Sequence, residues 1–310
     1  MKIGLIIVIS ALTISCSNIS AQQVKSSDSL NSSSSQNESR GPFARIGGDL
    51  FTQLTSVFHM SKESAMWMGV GVFVTGVLIA SDQATYNTIH RTKQNNSWMR
   101  KTSPYISNFG SWYGVSVIGA FTGLGLVMHN QKALETSYLA AESFLTSGLW
   151  VRALKMLAGR ERPSAKNIYS HESGGEWWGP MVEFSSKRNG GRSVSSFDAF
   201  PSGHTASAFS IATVFANQYS STPVVPIISY SLASLVGIAR IIDDTHWASD
   251  VFVGAVIGYL TSKEVMFNNP SELSRRESRI LAASNKEKKE NHLSYSINPF
   301  DKTFNISYKF

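Results

Sequence analysis

One cysteine occurs in 310 residues, Cys16. An intrachain disulfide is therefore excluded, and with it covalent catalysis by a core cysteine, since Cys16 closes an N-terminal apolar run. No metal-ligand spacing of the H-E-x-x-H kind occurs, so the sequence gives metal-assisted hydrolysis no support and calls for no metal or other cofactor. Charge is scarce too: 16% of residues are charged and the net charge is +7. That balance mildly favours anionic partners. No RNA- or DNA-binding motif accompanies it, so nucleic acid is not an expected partner. Internal repeats are absent, which removes solenoids. What is left is apolar sequence, ample for one large core.

Residues 1–21 have the form of a secretory signal peptide: Lys2, an apolar run Ile3–Ile14, then small residues ending at Ala21. The segment Thr13-Ile14-Ser15-Cys16 also has the outline of a lipoprotein cleavage box, with Thr13 where leucine is usual; cleavage after Ala21 is the plainer alternative. Residues 22–42 are rich in Ser, Asn and Gln and form a disordered linker. Residues 43–62 form an amphipathic helix with Phe43, Ile46, Leu50, Leu54 and Val57 on one face. Six apolar stretches follow at 65–81, 110–128, 134–158, 204–219, 224–241 and 246–267, so the expected fold is all-α, a six-helix bundle over 63–268. The connector 81–108 is polar and basic, with Pro104 as a helix breaker. The connector 164–200, with Gly174-Gly175 and Gly190-Gly191, is a loop over the site, and Trp177 and Trp178 could give it an apolar lip. Residues 269–310 comprise a charged helix and a C-terminal β-hairpin around Asn298-Pro299.

Three short segments carry chemistry. In the last, His246 and Asp250 are four residues apart, neighbours if both are helical. The carboxylate can then accept the Nδ1 proton and leave Nε2 free, and Arg240 can fork onto phosphate oxygens. Pro201-Ser202-Gly203-His204 opens an apolar stretch. Ser202 suits an N-cap, Gly203 lets backbone N–H groups approach an anion, and His204 is placed to protonate a leaving oxygen. Lys155 and Arg162 are seven apart, two turns of one helix face, with Pro163 as its stop. Two such cations can clamp a phosphoryl group. Taken alone, each segment has a structural explanation: a buried ion pair, a helix cap, cations at a helix C-terminus.

Together, in this order and spacing, they resemble the signature K-x6-R-P … P-S-G-H … S-R-x5-H-x3-D of the type 2 phosphatidic acid phosphatase and vanadium haloperoxidase superfamily, over roughly residues 65–265. Ala239 departs from it, standing where the signature has Ser. The resemblance implies a helical bundle and a two-step, metal-free phosphomonoester hydrolysis. His246 would be the nucleophile that forms a phosphohistidine, Asp250 would orient it, and His204 would protonate the leaving alcohol. Lys155, Arg162, Ser202, Gly203 and Arg240 would hold the phosphate. His59, His90, His129, His171 and His292 lie outside this set.

The expected substrate is a phosphorylated lipid such as phosphatidate, a prenyl diphosphate or lipid A. A soluble periplasmic acid phosphatase acting on small phosphomonoesters, a vanadate-dependent haloperoxidase and an inactive envelope scaffold are the alternatives. The export signal places the protein in the bacterial cell envelope, associated with the membrane and facing the periplasm. Topology is in tension with that placement. An exported N-terminus followed by three spans would put Lys155 in the cytoplasm, and Glu135, Glu142, Arg152 and Lys155 are expensive residues for a span.

Overall fold

A computed structural model describes residues 46–48, 50, 62–165, 174–185, 192–269, 293–298 and 303–308. The signal 1–21 with Cys16, the linker, nearly all of the 43–62 helix, His171 and the charged segment after 269 lie outside the described residues. Seven α-helices dominate the described residues: α1 Lys62–Gln94, α2 Ser97–Ser107, α3 Trp112–Val127, α4 Gln131–Ala158, α5 Gly203–Gln218, α6 Val224–Ile242 and α7 Ala248–Asn268. Leu293–Asn298 and Thr303–Tyr308 pair as antiparallel strands. The six apolar stretches correspond to the six long helices. The expected polar connector differs: α1 continues to Gln94, and α2 forms around Pro104. Pro104 lies in the second half of an 11-residue helix, where its missing N–H costs one hydrogen bond rather than a fold.

The helices alternate in direction, and one end of the bundle gathers the chemistry. The end of α1 reaches the segment after α6 through Lys93 Nζ, which donates to Asp244 Oδ2 at 2.7 Å. The turn before α3 meets the start of α5, where a Cβ at Gly110 would collide with the His204 carbonyl. The turn before α5 meets α7, with Ser202 N–H donating to Asp250 O at 3.0 Å. Helix α2 is tied to the same end by Ser103 and Ser107, whose hydroxyls donate to Asp243 at 2.5 and 2.6 Å.

Helix α5 runs through the middle, packed by α4, α6 and α7. Small residues allow this: a Cβ at Gly254 would meet Ser202 O at 2.5 Å, and one at Gly258 would strike Ala206 O. One apolar cluster joins Val151, Leu154, Phe200, Val253 and Ile257 beneath the chemical end. A second, with Leu139, Ile211, Val214, Phe215 and Val265, fills the bundle further along. At about 25 cal/mol per Å² of apolar surface, this burial is the main force holding the helices together.

The outside of the bundle is also apolar. Trp67, Phe73 and Val77 on α1, and Ile227, Leu235 and Ile238 on α6, are exposed. Helices Ala65–Gln94 and Val224–Ile242 are long and apolar enough to cross a membrane, and the bent pair Ser97–Gly110 with Trp112–Val127 makes a possible third crossing. An apolar surface of this extent belongs to a protein associated with a membrane.

Candidate active site

Lys155 projects from the last turn of α4. Gly159, not Pro163, ends that helix: its φ of 54° is left-handed, and its N–H donates to Lys155 O at 3.1 Å. Arg162 therefore lies beyond the helix rather than on its face. Residues 160–162 run as an extended strap, with Glu161 N–H donating to Glu176 O and Arg162 N–H to Ser196 O. The strap turns Arg162 back toward Lys155, and a shared partner joins them. Asp198 accepts from Arg162 Nε at 2.7 Å and from Lys155 Nζ at 3.4 Å, while Lys155 Nζ also donates to the Asp198 carbonyl.

Ser202 caps α5 as expected, its Oγ lying 2.8 Å from Thr205 Oγ1 and 3.5 Å from Thr205 N. At Gly203 an added Cβ would come within 4.0 Å of Lys155 Cε, so the stem of Lys155 lies along the start of α5. His204 follows at the first turn. Burial first, then the charges of Arg240, Lys155 and Arg162, push its imidazole down to about 4. That response places His204 within reach of all three cations.

His246 is fully inside the protein, 2% exposed. It precedes α7 rather than lying on it, and its partner is not the expected carboxylate. Nδ1 lies 2.6 Å from Ala199 O and 3.8 Å from Asp250 Oδ2. A carbonyl oxygen only accepts, so Nδ1 carries the proton and Nε2 keeps its lone pair. Burial, then Lys155, Arg240 and Arg162, hold this imidazole well below its ordinary range. His246 is therefore neutral at pH 7.

Asp250 instead accepts from Trp247 N–H at 2.8 Å, capping α7, and from Arg160 Nη1 at 2.5 Å. Arg160 and Asp82 escaped the sequence reading. The Arg160 guanidinium is 0% exposed. It donates to Asp82, Asp250, Ser249 and Gly174 O, between the rings of Trp177 and Trp247. Trp177 thus packs on this cation, and Trp178 stands edge-on to Phe197. Asp82 also accepts from Ser249 N–H at 3.0 Å, so α1, the strap and α7 meet on one guanidinium.

Arg240 ends α6 with its Nη1 3.9 Å from Asp243 Oδ2, too long for a hydrogen bond. It is 9% exposed, and its Nε has no hydrogen-bond partner among the described residues. A buried guanidinium donor without an acceptor costs about 1–3 kcal/mol. The described residues contain no group of His, Cys, Asp and Glu arranged to hold a metal ion.

Residues 137–269 match the PAP2 superfamily. Over 125 residues the chain is 36% identical to a lipid A 1-phosphatase from Porphyromonas gingivalis, covering 36% of this chain and 27% of that protein. The chain thus spans about a quarter of that relative's length. Two solved structures are similar: a transmembrane PAP2-type phosphatidylglycerolphosphate phosphatase from Bacillus subtilis (19% identity, TM-score 0.41, covering 63% of this chain and 92% of that one) and Aquifex aeolicus LpxE (22% identity, TM-score 0.41, covering 58% and 92%).

Proposed function

We propose that the chain is a membrane phosphatase of the PAP2 superfamily, sited in the cell envelope, that hydrolyses lipid phosphates through a phosphohistidine; the match of residues 137–269 to that family supports the reading. One observation carries this: a buried Arg240 with an unpaired Nε, whose charge acts together with those of Lys155 and Arg162 on two neutral histidines. A phosphoryl group would give the Arg240 Nε the acceptor it lacks, and it would share Lys155 and Arg162 with Asp198.

In this scheme Nε2 of His246 attacks phosphorus. The N–P bond forms as the bond to the leaving oxygen breaks, and His204 passes its proton to that oxygen. Ala199 O stabilises the cationic ring through Nδ1–H. Water then attacks phosphorus, the P–N bond breaks, His204 takes the water proton, and phosphate leaves. Ser202 and Gly203 offer the start of α5 to the phosphoryl oxygens, and Asp250 holds the His246 segment through the Trp247 backbone.

His204 is a neutral imidazole at pH 7 in the empty pocket, so the second proton it needs to act as an acid must arrive with the substrate. A phosphomonoester monoanion brings it, and its phosphate offsets the three cations that keep His204 neutral. With a phosphate second pKa of about 6, kcat/KM should fall about tenfold per pH unit between pH 7 and 9. A flat profile over that range, measured with a soluble alkyl phosphate whose leaving alcohol needs the proton, would contradict this protonation scheme.

The support for a lipid substrate is an apolar cleft. It has a volume of about 150 Å³ and is lined by Gly114, Ala208, Ile211, Ala212, Phe215, Ala233 and Val236, among others. Ala208, Ala212 and Phe215 stand four, eight and eleven residues after His204, on the face of α5 that His204 begins. A hydrocarbon chain attached to a phosphate at His204 can run down that stripe. Lipid A, the substrate in the relative's name, phosphatidate and prenyl diphosphate all carry such chains. Ala212→Leu should lower kcat/KM about tenfold on detergent-dispersed phosphatidate and leave p-nitrophenyl phosphate hydrolysis unchanged. Equal kinetics of variant and wild type on both compounds would point to a soluble-substrate phosphatase.

A further inference from the structure

Asp198 lies outside the three signature segments, yet its carboxylate sits on two of the cations assigned to phosphate. Oδ1 accepts from Arg162 Nε at 2.7 Å, and Oδ2 is 3.4 Å from Lys155 Nζ. Its side chain is 19% exposed, the same as that of Arg162, so the carboxylate remains partly open to solvent. Burial alone would raise this carboxyl, but Lys155 and Arg162 outweigh burial and hold it below the usual range. It is therefore an anion whenever the pocket is empty.

The backbone leaves it little freedom. Phe197 is fully buried, Ala199 N–H donates to Arg160 O at 3.0 Å, and Ala199 O is the partner of His246. Only the two side-chain torsions of Asp198 can move, so the carboxylate stays beside whatever anion Lys155 and Arg162 hold.

We propose that Asp198 is an internal competitor for the phosphate site: it occupies Lys155 and Arg162 between turnovers, and it repels inorganic phosphate so that product leaves. This rests on the phosphatase reading above. It sets Asp198 apart from a residue that merely fixes the two cations, because the two roles predict opposite signs. A fixing residue, once neutralised, lets the cations wander and weakens anion binding. A competitor, once neutralised, strengthens it.

Asp198→Asn keeps the shape and an acceptor for Arg162 while removing the charge. With the full-length protein in detergent, the inhibition constant of inorganic phosphate against p-nitrophenyl phosphate should fall about tenfold or more, like-charge contacts being costly. KM should fall with it. An inhibition constant unchanged or raised overturns the proposal. Should the Asn variant fail to fold, Asp198→Ser gives the same comparison with a smaller acceptor. Wild-type protein that neither turns over a phosphomonoester nor binds phosphate would sink the phosphatase reading itself. Normal wild-type turnover and binding, without tightening in either variant, would sink this inference alone.

Discussion

His246→Ala is expected to reduce phosphomonoester hydrolysis at least about 10⁴-fold, to the level of the buffer reaction, with every substrate tested. The size follows from the role: a covalent step has no substitute once its nitrogen is gone, however well the pocket still binds phosphate. Folding should survive. The substitution leaves a cavity and an Ala199 carbonyl without its donor, at a cost of about 1–3 kcal/mol, spread over a bundle whose apolar clusters do not include His246. The pair of measurements is kcat on p-nitrophenyl phosphate and the thermal midpoint in detergent. Full activity with an intact midpoint would remove His246 from the chemistry. EDTA should change neither value, because every role in the scheme is filled by a side chain or by water.

The second large effect is expected at Arg160, which touches no substrate in this scheme. Asp82 and Asp250 are both at most 1% exposed and share this one guanidinium. Arg160→Ala leaves two buried carboxylates without their cation, a loss of about 3–5 kcal/mol. For a chain of this size that is a fall in midpoint of roughly 10 °C. Arg160→Lys should also be severe. All three guanidinium nitrogens are used, toward Asp82, Asp250, Ser249 and Gly174, and a single ammonium cannot span them. Asp82→Asn removes one charge of the three and should be milder. Its expected signature is a lower kcat at unchanged KM, because slack reaches His246 through Ser249, Asp250 and Trp247 and not through the phosphate cations. A wild-type midpoint in Arg160→Ala would show that this node is not what ties α1 and α7 to the strap.

These two sites differ in how visible they were in the sequence. Lys155, Arg162, Ser202, Gly203, His204, Arg240, His246 and Asp250 stand at fixed spacings, and the structure brings all of them to one end of the bundle. Their local geometry was less legible. Spacing of four placed His246 and Asp250 on one helix, but His246 lies before α7, and its imidazole found a carbonyl instead. A backbone carbonyl carries no sequence signal, since every residue has one. Spacing of seven put Lys155 and Arg162 on one helical face, with Pro163 as the stop. The left-handed turn at Gly159 came first, and it is the strap beyond it that turns Arg162 inward. Asp82 and Ser249 are 167 residues apart, so their contact exists only through the fold. Asp198 drew no reading from the sequence, because its meaning depends on two cations from another segment.

The fold followed the same division. Apolar periodicity marked the six long helices. The helical character of 81–107 was hidden by its polarity, since α2 buries only its serines and presents Trp98 and Tyr105 outward.

The most direct test of the central claim is to catch the phosphoryl group on His246. The His204→Ala variant is suited to it when p-nitrophenyl phosphate labelled with ³²P is the substrate. Nitrophenolate departs without an acid, so the first step survives, while the second step lacks its base and the intermediate accumulates. After an alkaline quench, which preserves phosphohistidine, the label should be found in the peptide containing His246 and be absent from His204→Ala/His246→Ala. Label on any other residue, or nitrophenol release from His204→Ala with no protein-bound label in the first turnover, would contradict the phosphohistidine scheme.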